Sequence, residues 1–165
     1  MTPRAVLIGA PAAGKTRLGK RIAKILGVSF ADTDKMVVAQ HGPIPKIFAE
    51  HGEAQFRIWE REAVVEALAS DGVVAFGGGA IVNPDTQRDV AGLTVIHVSI
   101  TPEAAEKRLV DDSRPLLTGG IEAWKTLVAA RQPIYDRVST FTVDTSRRPI
   151  DHIAEEVALR LQENA

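Results

Sequence analysis

The chain has 165 residues, 45% of them hydrophobic and 25% charged, which is enough for one domain with a sizeable core. Its 20 Lys and Arg residues against 21 Asp and Glu residues give a net charge of -1, which argues against a surface that binds nucleic acid generally. It has no cysteine, so disulfides and a cysteine nucleophile are excluded, and no apolar stretch long enough to span a membrane, so we expect a cytoplasmic protein with no membrane partner.

Short apolar runs alternate with segments of helical periodicity, a pattern typical of βαβ units around a parallel sheet. The predicted strands, apolar on both faces, are Ala5–Ile8, Val28–Ala31, Val73–Phe76, Thr94–Val98 and Phe141–Val143. The predicted helices include Lys15–Leu26, Lys35–Gln40, Pro45–Glu50, Glu53–Ala69 and a last helix that opens at Pro149. We therefore predict an α/β protein, a three-layer α/β/α domain over residues 1–165 with a five-stranded parallel sheet.

The segment between the second and third strands is longer than one crossover needs. Some forty residues separate these strands, and they read as several helices. Insertions of this kind usually build binding sites, so we expect residues 35–62 to form a substrate-binding region.

A phosphate-loop motif follows the first predicted strand. Residues 9–16 read GAPAAGKT, which matches G-x-x-x-x-G-K-[ST], and a helix is predicted from the lysine onward. Backbone N–H groups and the positive end of the helix dipole would attract phosphates there. Lys15 would supply a cation to the β- and γ-phosphates, and the Thr16 hydroxyl could ligate Mg²⁺. The expected ATP contacts in this segment are Ala12, Ala13, Gly14, Lys15, Thr16 and Arg17.

Two carboxylates follow the second predicted strand, at Asp32 and Asp34. In a parallel sheet this strand end lies at the same edge as the phosphate loop. We expect Asp32 to face Thr16 and the metal, which it would hold through water, and Asp34 to reach the acceptor. The alternative is that Asp34 only caps a helix that begins at Lys35.

Two other classes of phosphate-loop protein fit poorly. Regulatory GTPases need an Asn-Lys-x-Asp segment, which this chain lacks. Motor ATPases and helicases are usually larger and carry acidic residues at the end of a second apolar strand, whereas the third predicted strand here runs into Gly77-Gly78-Gly79. The remaining class is a small kinase that binds Mg-ATP beside a separate acceptor pocket.

At this point the sequence resembles the shikimate kinase family, and the resemblance covers essentially the whole chain. The motifs that carry it, in order, are the phosphate loop, Asp32-Thr33-Asp34, Gly52-Glu53-x-x-Phe56-Arg57-x-x-Glu60, Gly77-Gly78-Gly79, Arg114-Pro115-Leu116-Leu117, Arg131-x-Pro133-x-Tyr135 and Val143-Asp144-Thr145-Ser146-Arg147-Arg148. The resemblance implies a P-loop NTPase fold and a monomer that uses ATP and Mg²⁺ to phosphorylate the 3-hydroxyl of shikimate, a step towards chorismate and the aromatic amino acids.

The resemblance also implies an acceptor site. The residues expected to bind shikimate are Asp34, Arg57, Gly78 and Arg131, with support from Glu60, Gly77 and Gly79. Shikimate carries a carboxylate, which the planar fork of an arginine can bind through two hydrogen bonds. Glu60 lies one helical turn after Arg57 and could hold its guanidinium. Two alternatives stay open: an ordinary surface ion pair for Arg57 and a plain flexible turn for the three glycines.

A lid is expected over residues 109–120, in which Arg114 would contact the ATP phosphates after closure. Arg108 and Arg148 resemble the pair that flanks adenine. The expected catalytic residues are Lys15 and Arg114, which offset charge on the transferred group, and Asp34, which orients the acceptor hydroxyl.

The four histidines are expected to have no catalytic role. Trp59 and Trp124 are expected to be packing residues, and the alternative for Trp59 is that it shapes the pocket.

Two alternative functions remain at this stage. One is another small P-loop kinase, acting on gluconate or a nucleoside monophosphate, since gluconate also has a carboxylate. The other is a nucleotide-binding relative without catalytic activity.

Overall fold

The computed structural model describes residues 1–112 and 119–165. Its five strands are β1 (Ala5–Ile8), β2 (Phe30–Asp32), β3 (Val73–Ala75), β4 (Val95–Ser99) and β5 (Phe141–Asp144). They form one parallel sheet in the order β2-β3-β1-β4-β5. The helices are α1 (Lys15–Leu26), α2 (Thr33–His41), α3 (Ile44–Leu68), α4 (Pro84–Asp89), α5 (Pro102–Asp112), α6 (Gly120–Val138) and α7 (Ile150–Glu163), with a 3₁₀ turn at Ala80–Val82. The predicted five-stranded parallel α/β architecture is confirmed.

Strand β2 begins two residues later than predicted because Val28 takes part in the capping motif that follows α1. Gly27 adopts a left-handed conformation with φ 69°, and its N–H donates to the Lys24 carbonyl. The Val28 N–H donates to the Ala23 carbonyl at 3.0 Å, which closes the helix end. Hydrogen bonds of this capping motif therefore keep Val28 out of the sheet.

The helical insertion after β2 differs from the prediction at its start. Helix α2 begins at Thr33 rather than Lys35, because Asp32 is its N-cap and its Oδ1 accepts from the Lys35 N–H at 3.1 Å. The suggestion that Asp34 caps this helix is wrong. The predicted break before Glu53 is confirmed, since Gly52 interrupts α3 with φ 84° and ψ 165°.

Both faces of the sheet are covered by helices, as its two-sided apolar strands predict. On one face Leu7 and Ile96 pack with α1, α7 and the first part of α6. On the other face Val6 and Ile8 pack with α3 and with Tyr135 of α6. Within the described ranges, no helix is long and apolar enough to cross a membrane.

Candidate active site

A cavity of about 510 Å³ opens at the carboxyl ends of β1, β2 and β3, where parallel sheets commonly bind ligands. Its walls come from the phosphate loop (residues 9–16), the start of α2, both halves of α3, the acceptor turn (residues 77–79) and α6. Thirteen of the predicted site residues line it: Ala12, Gly14, Lys15, Thr16, Arg17, Asp32, Asp34, Arg57, Glu60, Gly77, Gly78, Gly79 and Arg131.

The phosphate loop has a backbone that needs small residues. A Cβ on Gly9 would lie 2.3 Å from the Val98 carbonyl oxygen, so β1 and β4 approach here as closely as glycine allows. Gly14 has φ 90° and directly precedes α1. The first residues of α1 line the cavity. Ala12 has φ 71°, a left-handed conformation that costs an alanine free energy and persists because the surrounding structure holds it.

Side chains hydrogen-bond every carbonyl from position 9 to position 13. The Lys15 Nζ donates to the carbonyls of Gly9 at 2.8 Å and of Ala10 at 3.0 Å. The remaining donors come from other elements: Trp124 to Pro11 at 2.9 Å, Arg108 to Ala12 at 2.9 Å and Thr145 to Ala13 at 2.7 Å. A carbonyl held in this way cannot turn toward a phosphate and repel it.

Two oxygen groups that could ligate a metal, from Thr16 and Asp32, meet at the start of α1. The Thr16 hydroxyl donates to Asp32 Oδ2 at 2.6 Å, while the other Asp32 oxygen caps α2. Across residues 1–112 and 119–165, no group of three or more acidic or histidine side chains could hold a metal by itself. The pair nevertheless fits Mg²⁺, which commonly takes one or two protein oxygens and completes its shell with water and phosphate.

Asp34 lies against the acceptor turn. A Cβ on Gly77 would be 2.1 Å from Asp34 Oδ1, so only glycine leaves room for this carboxylate. The Gly77 N–H donates to the buried Thr33 hydroxyl at 2.9 Å, which fixes the turn to the start of α2. Burial raises the pKa of Asp34, as does the charge of Asp32, while Lys15 and Arg57 oppose the shift.

Arg57 is anchored by a buried carboxylate. Its Nη1 lies 3.0 and 3.1 Å from the two oxygens of Glu60, whose side chain is only 6% exposed, and its Nη2 lies 3.4 Å from the exposed Glu53. Burial raises the pKa of Glu60 and the charge of Arg57 opposes that shift. A Cβ on Gly79 would meet Arg57 Nη1 at 2.4 Å. Arg57 is therefore paired with a buried carboxylate, and the acceptor turn packs against its guanidinium.

Arg131 reaches the same turn from α6. Its Nη1 donates to the Gly78 carbonyl at 2.8 Å, and its side chain lines the cavity with Arg57 and Asp34. Two cationic forks thus line one cavity together with the Asp34 carboxylate, which suits a small ligand that carries a carboxylate and hydroxyl groups.

The remaining predicted residues lie elsewhere or outside the description. Ala13 is buried in the phosphate loop, where its carbonyl is bonded to Thr145. Arg108 contacts the backbone of that loop and also donates to the Thr145 carbonyl at 2.7 Å. Arg148 is exposed and pairs with Glu156 of α7, which lowers the pKa of that carboxyl. Arg114 lies outside the described residues, as do the other residues of 113–118 in the predicted lid, while residues 109–112 end α5 and Gly120 begins α6.

Sequence reasoning missed the roles of Thr33, Trp124 and Thr145, which contact the backbone of the site rather than the cavity. Trp124 offered one signal, since it precedes Arg131 by seven residues and therefore lies on the same helix face. Trp59 packs with the insertion helices, where its ring stacks on His41 at 3.7 Å between centroids and meets His51 edge-on at 5.3 Å.

Comparisons with known proteins identify the family of the chain. The model of the family described as shikimate kinase matches residues 11–162. The shikimate kinase of Thermobifida fusca is 47% identical over 163 residues, which cover 96% of this chain and 95% of that protein. A solved shikimate kinase from Acinetobacter baumannii, in complex with shikimate, superposes with a TM-score of 0.90 at 27% identity and covers 99% of this chain and 94% of its own.

A gluconokinase from Sinorhizobium meliloti also superposes, with a TM-score of 0.66 and 21% identity over 98% of this chain and 92% of its own. At that identity the likeness shows a shared fold and no more. The family match over most of the chain and the close sequence relatives decide the family: this chain belongs to the shikimate kinases.

Proposed function

We propose that this protein transfers the γ-phosphoryl group of ATP to the 3-hydroxyl of shikimate, giving ADP and shikimate 3-phosphate on the route to chorismate and the aromatic amino acids. The observation that carries the proposal is a single cavity that joins the phosphate loop and the Thr16–Asp32 pair to Asp34, Arg57 and Arg131. In-line transfer needs the donor and acceptor sites to lie side by side in one cavity.

On the donor side, the phosphate loop and the N-terminus of α1 bind the phosphates through backbone N–H groups. Lys15 lies within this loop and offsets the negative charge of the transferring group. Thr16 and Asp32 would hold Mg²⁺, Asp32 through water, and the bound ion would neutralise charge on the β- and γ-phosphates. Arg17 lines the same wall and adds positive charge near the nucleotide.

On the acceptor side, Arg57 and Arg131 would bind the carboxylate and hydroxyl groups of shikimate. Arg57 is held in place by the buried Glu60, and Arg131 by the Gly78 carbonyl, so both forks are oriented before the ligand arrives. Gly77 and Gly79 support this arrangement by leaving space for Asp34 and Arg57.

Asp34 orients the 3-hydroxyl toward the γ-phosphate and accepts its proton as the new O–P bond forms. Its raised pKa makes the carboxylate a stronger base than an exposed aspartate, while the nearby cations Lys15 and Arg57 favour its ionised form. No covalent enzyme intermediate is required, because positioning and electrostatic stabilisation account for most of the rate of phosphoryl transfer.

Other parts of the proposal rest on the family resemblance. Arg114, in a lid over residues 109–120, would contact the phosphates after closure, and Arg108 and Arg148 would flank adenine. The unit is a single P-loop kinase domain over residues 1–165, with residues 35–62 as the substrate-binding region. We propose that it acts as a cytoplasmic monomer, without nucleic-acid or membrane partners.

The acceptor can be tested by measuring coupled ADP release with shikimate, gluconate and AMP side by side. We expect shikimate to give the highest kcat/KM by a wide margin. Equal or greater turnover with gluconate or AMP would overturn the assignment. ADP release with none of the three would favour a relative that binds nucleotide without catalysis.

A further inference from the structure

Helix α6 contacts both halves of the site through two residues on one face. Trp124 and Arg131 are seven residues apart, which is close to two helical turns, so their side chains project in nearly the same direction. The Arg131 guanidinium donates to the Gly78 carbonyl of the acceptor turn. The Trp124 indole N–H donates to the Pro11 carbonyl of the phosphate loop at 2.9 Å. One helix therefore holds the donor loop and the acceptor turn.

The two contacts converge on one point of the cavity. A Cβ on Gly78 would lie 3.7 Å from Cγ and Cδ of the Pro11 ring and 3.4 Å from Arg131 Nη1. Pro11 thus separates the acceptor turn from the rest of the phosphate loop, and the donor on its carbonyl comes from the helix that also binds the turn. A displacement of Pro11 would change the distance between the two ligands.

The Pro11 backbone is held by the hydrogen bond from Trp124. Proline has no N–H, so its carbonyl is the polar backbone group through which this position can be held. Trp124 is 2% exposed and packs in one apolar cluster with Ala10 and Ala13, which orients the indole edge toward the loop. Losing the N–H would leave a carbonyl in this apolar surrounding without its donor and allow the loop to rotate.

We propose that Trp124 is a positioning residue of the phosphoryl-transfer site. Its indole N–H keeps the Pro11 carbonyl turned away from the phosphates, and so keeps the phosphate loop in the conformation that binds nucleotide. The proposal rests on the proposed function in one respect, namely that the loop binds the phosphates of ATP. It predicts a role in nucleotide affinity for a residue that does not line the cavity.

The test removes the N–H and keeps the shape. Trp124 is replaced by 3-benzothienylalanine, in which sulfur takes the place of the ring N–H, and in parallel by phenylalanine. The Kd for MgADP is measured by titration calorimetry without acceptor, and the Kd for shikimate is measured without nucleotide. Trp59→Phe is the matched control, because the other tryptophan contacts His41 and His51 rather than the phosphate loop.

We expect the isosteric variant to bind MgADP roughly threefold to tenfold more weakly, the range for one lost hydrogen bond, with shikimate affinity within twofold of wild type. Trp59→Phe should leave MgADP affinity within twofold. An MgADP Kd within twofold of wild type in the isosteric variant would overturn the proposal. Equal losses for both ligands would also overturn it, because a general loosening of α6 would displace Arg131 as well.

The two binding measurements separate this proposal from the proposed function. If the wild-type protein binds MgADP but neither binds nor phosphorylates shikimate, the proposed function is wrong. The effect of the Trp124 variants on MgADP affinity then still tests whether Trp124 positions the phosphate loop. The phenylalanine variant and the unfolding midpoint of each variant show how much of any change comes from lost packing.

Discussion

The Thr16 hydroxyl donates a hydrogen bond to Asp32 Oδ2 at 2.6 Å, and this contact joins the phosphate loop to the end of β2. The other oxygen of Asp32 accepts from the Lys35 N–H and caps α2. A single carboxylate thus caps a helix and, in the proposed function, also takes part in the metal site. These two roles can be separated by mutation.

Replacement of Asp32 by asparagine should separate them, because an amide oxygen still caps a helix but carries no charge for Mg²⁺. We expect the free energy of unfolding of Asp32→Asn to lie within about 0.5 kcal/mol of the wild-type value. We also expect this variant to need a much higher Mg²⁺ concentration for half-maximal activity. Asp32→Ala should lose the cap as well, at a cost of about 1 kcal/mol. Urea unfolding and Mg²⁺ titrations of activity measure the two effects, and an unchanged Mg²⁺ requirement in Asp32→Asn would contradict the assigned metal role.

Asp34→Asn should lower kcat at least about a hundredfold, because a general base contributes roughly 10²–10⁴ in rate. Its MgADP affinity should change little, since the donor side of the cavity stays intact. In the wild type, the acid limb of the kcat/KM profile, which reports groups of the free enzyme, should titrate above the ordinary pKa of aspartate, because burial raises the pKa of Asp34. Near wild-type turnover in Asp34→Asn would remove Asp34 as base or orienting group.

The same carboxylate should destabilise the fold at neutral pH. Since burial raises the pKa of Asp34, the folded protein binds this proton more tightly than the unfolded chain does. The stability gained from this proton is fully present below the pKa of Asp34 in the unfolded chain. It is lost as the pH rises through the pKa of Asp34 in the folded protein. We therefore expect Asp34→Asn to be more stable than wild type at pH 7, with the difference shrinking toward acidic pH. Thermal unfolding across that range checks the sign, and a less stable variant at pH 7 would contradict it.

Glu60 should affect acceptor binding through Arg57. Glu60→Gln removes the buried charge that holds the guanidinium, and we expect the KM for shikimate to rise about tenfold while the KM for ATP stays within twofold. Glu53→Gln is the matched control, because Glu53 contacts the same guanidinium at 3.4 Å but has a side chain that is 67% exposed. Its effect should be less than twofold. Similar KM values for shikimate in the two variants would show that the buried Glu60 contributes no more to acceptor binding than the exposed Glu53 does.

Much of the fold follows from local patterns in the sequence. Apolar strands alternating with helical periodicity predict the parallel sheet, and the motif at residues 9–16 predicts where its ligand edge lies. The start of β2 could not be predicted, because the bond from the Val28 N–H to the Ala23 carbonyl competes with the sheet for this residue. The cap of α2 presented a similar ambiguity between Asp32 and Asp34, which only the backbone path resolves.

The charged residues and glycines of the cavity were predictable, because their side-chain chemistry or lack of a side chain marks them in the sequence. Apolar lining residues such as Ile44, Phe48 and Leu127 were not, because they look like any other helix residue. The residues that hydrogen-bond the backbone of the site without lining the cavity were not predictable. Trp124 and Thr145 act on carbonyls 113 and 132 positions away, and no local pattern indicates a hydrogen bond across that separation. Arg108 is intermediate, since its charge marked it as a site residue while its contact with the Ala12 carbonyl emerges only from the fold.

The most direct test of the central claim is identification of the product. Incubation with ATP, Mg²⁺ and shikimate, followed by phosphorus–proton correlation NMR, reports which oxygen carries the new phosphate. The account predicts one equivalent of ADP for each shikimate 3-phosphate, with the phosphorus coupled to the proton at carbon 3. Phosphate on another hydroxyl, or ADP released with inorganic phosphate alone, would contradict it.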